Sequence, residues 1–289
     1  MSLSLKSDTA KGALFGLLAF GMFASHDVVI KLLGGGYSIF QIIFFSTIFS
    51  FPLLILMMVF DRSTATLRPN FPGWIAVRCG LSIPVMTCIF YAFTVLDLAE
   101  TYAILFTTPL FITGLSVPFL KEQVGPRRWA AVLLGFVGVL IVLRPGVSDL
   151  GLGHLSALLG AFGAAVTFTI LRKVGNAERA SVMMLYPMLV NLAGMSLVLP
   201  FVYKPMAMPD LGINALMSVL GFLAAVTLLV AYRKAAAVIV APTQYSQILW
   251  AVLYGTLFFG ETLALNVALG AAIIIGSGIF IVFRESRIA

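Results

Sequence analysis

The segments LAFGMFASHDVVIKLL (18–33) and GAFGAAVTFTILRKV (160–174) share an Ala-Phe-Gly opening and a lysine near their ends. Phe20-Gly21 precedes Phe162-Gly163 by 142 residues, and the same offset separates Lys31 from Lys173. A second offset, 139, pairs Ala92-Phe93 with Ala231-Tyr232, Phe106 with Tyr245, Phe111 with Trp250, Phe119 with Phe258, and Glu122 with Glu261. Two nearly equal offsets over corresponding segments predict duplication of a five-helix unit. Five is odd, so the second copy enters the membrane from the opposite side and the repeat is inverted, an arrangement common in secondary transporters.

The membrane itself follows from composition. Of 289 residues, 61% are hydrophobic and 10% charged, against about 25% charged in a soluble domain. The apolar runs lie near the ~20 residues that span a ~30 Å hydrocarbon core as a helix. They lack the alternation of a membrane barrel. Spans are predicted near 13–33, 37–60, 74–96, 98–119, 128–144, 153–173, 181–203, 211–234, 237–259 and 263–283. The expected class is an all-α membrane protein with ten transmembrane helices, built as two five-helix inverted-topology repeats (12–146 and 153–285) around a central cavity.

Basic residues test that count. With a cytoplasmic N-terminus, only Lys31, Arg144 and Lys204 fall on the far side, and the other 15 of the 18 lie on the cytoplasmic side. The positive-inside rule gives this asymmetry, and a missed helix would scramble it. Both termini are therefore expected in the cytoplasm. The net charge of +7 lies between apolar runs rather than in one patch, so no nucleic-acid partner is implied. The apolar run after Lys11 exceeds signal-peptide length and has no evident cleavage site, so it reads as the first membrane helix. Cys79 and Cys88 fall on one predicted helix, too far apart for a disulfide and outside any metal motif.

Ala19-Phe20-Gly21 leading to Lys31, Ala161-Phe162-Gly163 leading to Lys173, and the helix-terminal Leu120-Lys121-Glu122 and Phe259-Gly260-Glu261 before Gly-rich final helices resemble the drug/metabolite transporter superfamily, with paired EamA-type domains over about 12–285. Within it, the chain most resembles bacterial inner-membrane exporters of aromatic and other amino acids. That resemblance implies export of small metabolites by alternating access, with amino acids as cargo, lipid as surroundings, and neither a cofactor nor an obligatory oligomer.

Polar groups deep in lipid are costly unless they face a bundle interior or water. His26 and Asp27 lie just past the midpoint of the first span and read two ways. They form a site for a substrate amine or a proton-coupling pair, or Asp27 pairs with Lys31 one turn on while His26 packs against a neighbour. The ninth span carries Gln244, Gln247 and Tyr254 at helical spacing beside Tyr245, Ser246 and Trp250. Its repeat partner offers Thr101, Tyr102, Phe106, Thr107, Thr108 and Phe111. These stripes suit a cavity with aromatic walls and neutral hydrogen-bonding groups, although each residue alone fits ordinary helix packing. Thr87, Tyr91 and Thr94 share a face of the third span, and Tyr186 and Asn191 are weaker candidates. The expected substrate-binding set is His26, Asp27, Tyr91, Tyr102, Phe106, Thr108, Gln244, Tyr245, Gln247 and Trp250.

Arg78 and Glu100 are expected to reach the interface by snorkelling, and Glu122 and Glu261 to pair or cap at helix junctions. Pro52, Pro84, Pro109, Pro187 and Pro242 fall inside spans and are able to kink them. The sequence has no G-x-x-x-x-G-K-[ST] loop for ATP, so a gradient or coupled ion must drive transport. Nucleobases and organic cations or drugs remain alternative cargo. Intramembrane hydrolase chemistry is disfavoured: there are two histidines, His26 and His154, without H-E-x-x-H or G-x-S-x-G.

Overall fold

A computed structural model of the chain describes residues 2–60, 67–121, 124–146, 150–174, 177–235 and 240–285. Its elements are α1 (Ser2–Gly34), α2 (Ile39–Phe60), α3 (Pro72–Val95), α4 (Leu98–Leu105), α5 (Thr108–Leu120), α6 (Pro126–Leu143), α7 (Leu152–Val174), α8 (Ala180–Val202), α9 (Met208–Lys234), α10 (Gln247–Tyr254) and α11 (Leu265–Glu285). A 3₁₀ segment, Ala241–Ser246, precedes α10 and a π-helical turn, Gly255–Phe259, follows it.

Seven helical spans among the described residues are long and apolar enough to cross a bilayer, with α4 and α5 counted as one span. The apolar stretches of α6 and α11 are shorter, and the ninth span is the composite 241–259. Together they give the ten expected crossings.

The packing carries an internal two-fold. The first helix of each half lies along the third helix of the other, α1 on α9 and α7 on α3. The second helices, α2 and α8, pack on each other, as do the fifth, α6 and α11. Contacting residues fix the directions. Gly12 faces Ala235 while Gly221 faces His26, and Gly153 faces Leu96 while Gly163 faces Val85. Both pairings are antiparallel, as an inverted repeat requires.

Small residues make the close approaches. A Cβ at Gly138 would sit 2.8 Å from the Gly270 carbonyl oxygen, and one at Gly270 would sit 2.6 Å from that of Gly138. Only glycine allows α6 and α11 to pack this tightly. Polar side chains tie the remaining junctions. Gln41 Nε2 donates to the Lys204 carbonyl at 2.7 Å and its Oε1 accepts from Lys204 N at 2.9 Å, so the start of α2 is bound to the end of α8. Beside it, the Tyr37 hydroxyl donates to Asp210 at 2.5 Å, and that carboxylate pushes the phenol above its usual range.

The broken spans are repeat partners. The fourth breaks at Phe106–Thr107, just ahead of Pro109, and the ninth begins as the 3₁₀ segment that contains Pro242. Proline removes an amide donor and clashes with the preceding turn, which explains both departures from regular helix. Pro52, Pro84 and Pro187 stay inside α2, α3 and α8.

Candidate functional site

The first half supplies a polar cluster at the middle of α1. His26 Nδ1 donates to Asp27 Oδ1 at 2.8 Å, and the Tyr102 hydroxyl from α4 donates to Asp27 Oδ2. With Nδ1 committed to the carboxylate, His26 Nε2 is the ring nitrogen left to meet a ligand. His26 lies between α1, α3 and α9, edge-on to Phe90 at 6.2 Å and 3.1 Å from where a Gly221 Cβ would stand. Its side chain is nonetheless 16% exposed and that of Asp27 14%, so the pair is not fully closed off.

Aromatic rings from both halves surround this cluster. Phe93 meets Tyr102 at 5.2 Å, Tyr102 meets Phe106 at 6.0 Å, and Phe106 meets Tyr245 edge-on at 5.1 Å. Phe106 and Tyr245 are equivalent residues of the two repeats. Their contact places them on the two-fold axis, where the two broken spans meet. Gln247 lies against the Tyr102 hydroxyl. Trp250 stacks on Tyr254 at 5.9 Å and its indole lies 3.3 Å from where a Gly21 Cβ would stand. Tyr254 and Ser25 share a hydrogen bond of 3.0 Å.

The arrangement combines a carboxylate, an imidazole and a phenol with flat apolar walls. It suits a cationic or amino group near Asp27 and a ring system against the aromatic side chains. Other expected site residues have their own surroundings. Thr108 donates to the Leu105 carbonyl at 2.7 Å and lies 3.4 Å from that of Ala161, and Gln244 is half-buried in the 3₁₀ segment. Tyr91 lines a separate cleft of about 520 Å³ with Ile39, Phe40, Thr87, Thr94 and Ser156. Phe90, Phe93, Ser25 and Gly221 are the neighbours that sequence reasoning missed. Only the close spacing of Phe90 and Phe93 to the Thr87/Tyr91/Thr94 face hinted at them.

Two expectations about charges are corrected. Asp27 does not pair with Lys31. The Lys31 ammonium lies 2.5 Å from Glu261 Oε1 and donates to the Leu96 carbonyl at 2.5 Å, over the Phe259 ring. Glu261 Oε2 accepts from Leu98 N at 2.9 Å. Glu261 therefore both pairs and caps, and a nearer tertiary partner displaces the helical one. Arg78 does not snorkel: it is half-buried against α8 and Nε donates to the Met183 carbonyl at 3.2 Å. Glu100 is also held inward, 3.2 Å from His154 Nε2. Glu122 lies outside the described residues.

Comparison with known proteins agrees with this architecture. The model of the EamA-like transporter family matches residues 10–144 and again 151–284. An S-adenosylmethionine uptake transporter of Rickettsia felis is 28% identical over 274 residues, covering 94% of this chain and 92% of that protein. A riboflavin transporter of Rhizobium johnstonii is 31% identical over 250 residues, covering 84% and 79%. A crystal structure with 16% identity superposes over 96% of this chain and 99% of its own with a TM-score of 0.62, which speaks for the fold. This chain belongs to the EamA-like transporter family.

Proposed function

We propose that the protein is a secondary transporter that moves small organic metabolites by alternating access, with cargo bound at the His26–Asp27–Tyr102 cluster beside the aromatic pair on the internal two-fold. The favoured cargo carries a flat ring together with an amino or other cationic group. Aromatic amino acids fit that description, and so does S-adenosylmethionine, the substrate named for the Rickettsia relative. Riboflavin, named for the Rhizobium relative, has the ring without the amine. Rings are the common element, and Asp27 adds the demand for positive charge.

The observation that carries this reading is the partly open carboxylate–imidazole pair, faced by aromatic rings from both halves. Asp27 also allows a proton to move with cargo, since two titratable groups share one hydrogen bond. The distribution of Lys and Arg favours a cytoplasmic position for both termini. Net direction then follows the gradients, so one site serves export or uptake. The conservative partner exchange is counterflow: purified protein in liposomes preloaded with unlabelled solute and offered labelled aromatic amino acids, S-adenosylmethionine, riboflavin, nucleobases or organic cations. Preferential accumulation of solutes with a ring and a positive group supports the reading. Exchange of riboflavin or nucleobases alone would remove Asp27 from cargo recognition, and no exchange of any solute would refute transport at this site.

A further inference from the structure

The last helix of each half, α6 and α11, together offer a second binding site. Helices α6 and α11 touch closely at Gly138 and Gly270 and stay joined at one end, where Asn266 Nδ2 donates to the Val142 carbonyl at 3.0 Å. Toward the other end Ala131 and Val132 still pack with Ile281, but the surface between the two helices is hollowed. The hollow is a groove of about 420 Å³ lined by Arg127, Ala130 and Leu134 from α6 and by Gly276, Ser277 and Phe280 from α11.

Three features say what fills it. Its walls are nearly all apolar, and Ser277, the one hydroxyl, is already committed to the Ile274 carbonyl at 2.8 Å. The groove wants a hydrocarbon chain. At its mouth stands Arg127, in the first turn of α6, and the sequence adds Lys121, Arg128 and Arg284 at the same end of this helix pair. That end wants an anion. Finally, the apolar stretch of α6 runs only over Trp129–Leu143, with Arg128 and Arg144 at its limits. At 1.5 Å per residue this is about 22 Å, against a hydrocarbon core of about 30 Å. A bilayer meeting so short a helix thins beside it, which brings phosphates down to the level of Arg127.

We propose that the groove between α6 and α11 holds an acyl chain of an anionic phospholipid, with the Arg127 guanidinium on its phosphate. Guanidinium matches phosphate geometry by paired N–H donors, and a basic residue near an anionic headgroup is worth about a fivefold change in affinity. Gly276 gives the site a steric handle. A Cβ there meets nothing within 4 Å, so a larger side chain enters the groove without displacing its neighbours.

The test is native mass spectrometry of the purified full-length chain titrated with phosphatidylglycerol or phosphatidylcholine of identical chains. The wild type is expected to retain one phosphatidylglycerol at least about fivefold better than phosphatidylcholine. Arg127→Gln removes that preference while keeping some binding of both lipids, and Arg127→Lys keeps most of the preference. Gly276→Leu weakens both lipids together. Equal retention of the two lipids by the wild type would overturn the proposal, as would unchanged preference in Arg127→Gln, or full retention in Gly276→Leu. Arg127→Lys serves as the folded reference if Arg127→Gln elutes as aggregate. A chain-to-chain crosslink across this face, lost in Gly276→Leu, would also overturn it by making a second copy the occupant.

Discussion

Lys31 and Lys173 end the first helix of their halves, yet they meet opposite surroundings. The Lys31 side chain is 14% exposed, ion-paired with Glu261 and bonded to the Leu96 carbonyl. Lys173 is exposed, donates to the Phe119 carbonyl at 2.9 Å and lies 4.6 Å from the centre of the Trp74 ring. Four residues earlier the contrast repeats. Asp27 joins an imidazole and a phenol, whereas its counterpart Thr169 is buried and turns its hydroxyl back on the Ala165 carbonyl at 2.8 Å. Duplication supplied the scaffold twice, and the carboxylate–imidazole pair stands on the first copy of this helix. The second half contributes mainly walls: Tyr245, Gln247, Trp250 and Tyr254.

The largest expected consequence of this asymmetry is in stability. Glu261→Ala leaves the mostly buried Lys31 ammonium without its acid and is expected to destabilise by about 3–5 kcal/mol. Lys173→Ala gives up an exposed hydrogen bond to Phe119 and a surface cation–π contact worth about 0.5–1 kcal/mol. Thermal unfolding of both variants in one detergent measures the gap; equal losses would erase the distinction between the two lysines. The double variant Lys31→Met/Glu261→Leu sharpens it further, because removing both charges is expected to recover most of the lost stability.

Transport divides the halves next. Asp27→Asn weakens two bonds to a charged acceptor, each worth about 1.5–3 kcal/mol, and is expected to lower cargo exchange on the order of 100-fold. Thr169→Val, at the equivalent site, is expected to stay within about twofold. Initial rates of counterflow at matched protein density compare them, and similar losses would mean that the polarity of α1 is incidental. A smaller effect is expected at Gly221. There a valine pushes into His26, 3.1 Å from the new Cβ, and is expected to weaken apparent cargo affinity about tenfold, roughly 1.4 kcal/mol. Unchanged affinity would separate His26 from the site. Smallest is Tyr245→Phe. The edge-on contact with Phe106 at 5.1 Å survives, so exchange within about twofold of wild type is expected, while Tyr245→Ala gives up an aromatic pair worth about 0.5–1.5 kcal/mol.

Ten crossings and the inverted halves were legible because hydropathy and Lys/Arg placement are long-range signals that each residue reinforces. The offset of 139 went further: it matched Phe106 with Tyr245, and the two rings touch on the axis. The sequence could not distinguish a lysine's helical neighbour from a tertiary one. Asp27 and Lys31 have ideal spacing on one helix, yet Glu261 lies 230 positions on and wins by its 2.5 Å approach and its simultaneous cap on Leu98. Tyr91 shows a similar limit. It shares a helix with Phe90, which meets His26, but the adjacent residue points to another face of α3 and lines the separate cleft. Periodicity tells which residues travel together and leaves open which neighbour they meet.

Ser25 gives the most direct test, because it sits one residue from His26 and touches Tyr254 of the other half. Ser25→Cys, in a chain with Cys79→Ala and Cys88→Ala, is to be reacted with a membrane-impermeant thiol reagent from each side of sealed vesicles, with and without the solute that exchanges best in counterflow. Reaction from both sides, suppressed by that solute, is the predicted result. A thiol reachable from one side only, or labelled equally with the solute present, would contradict a shared central site exposed in turn to each face of the membrane.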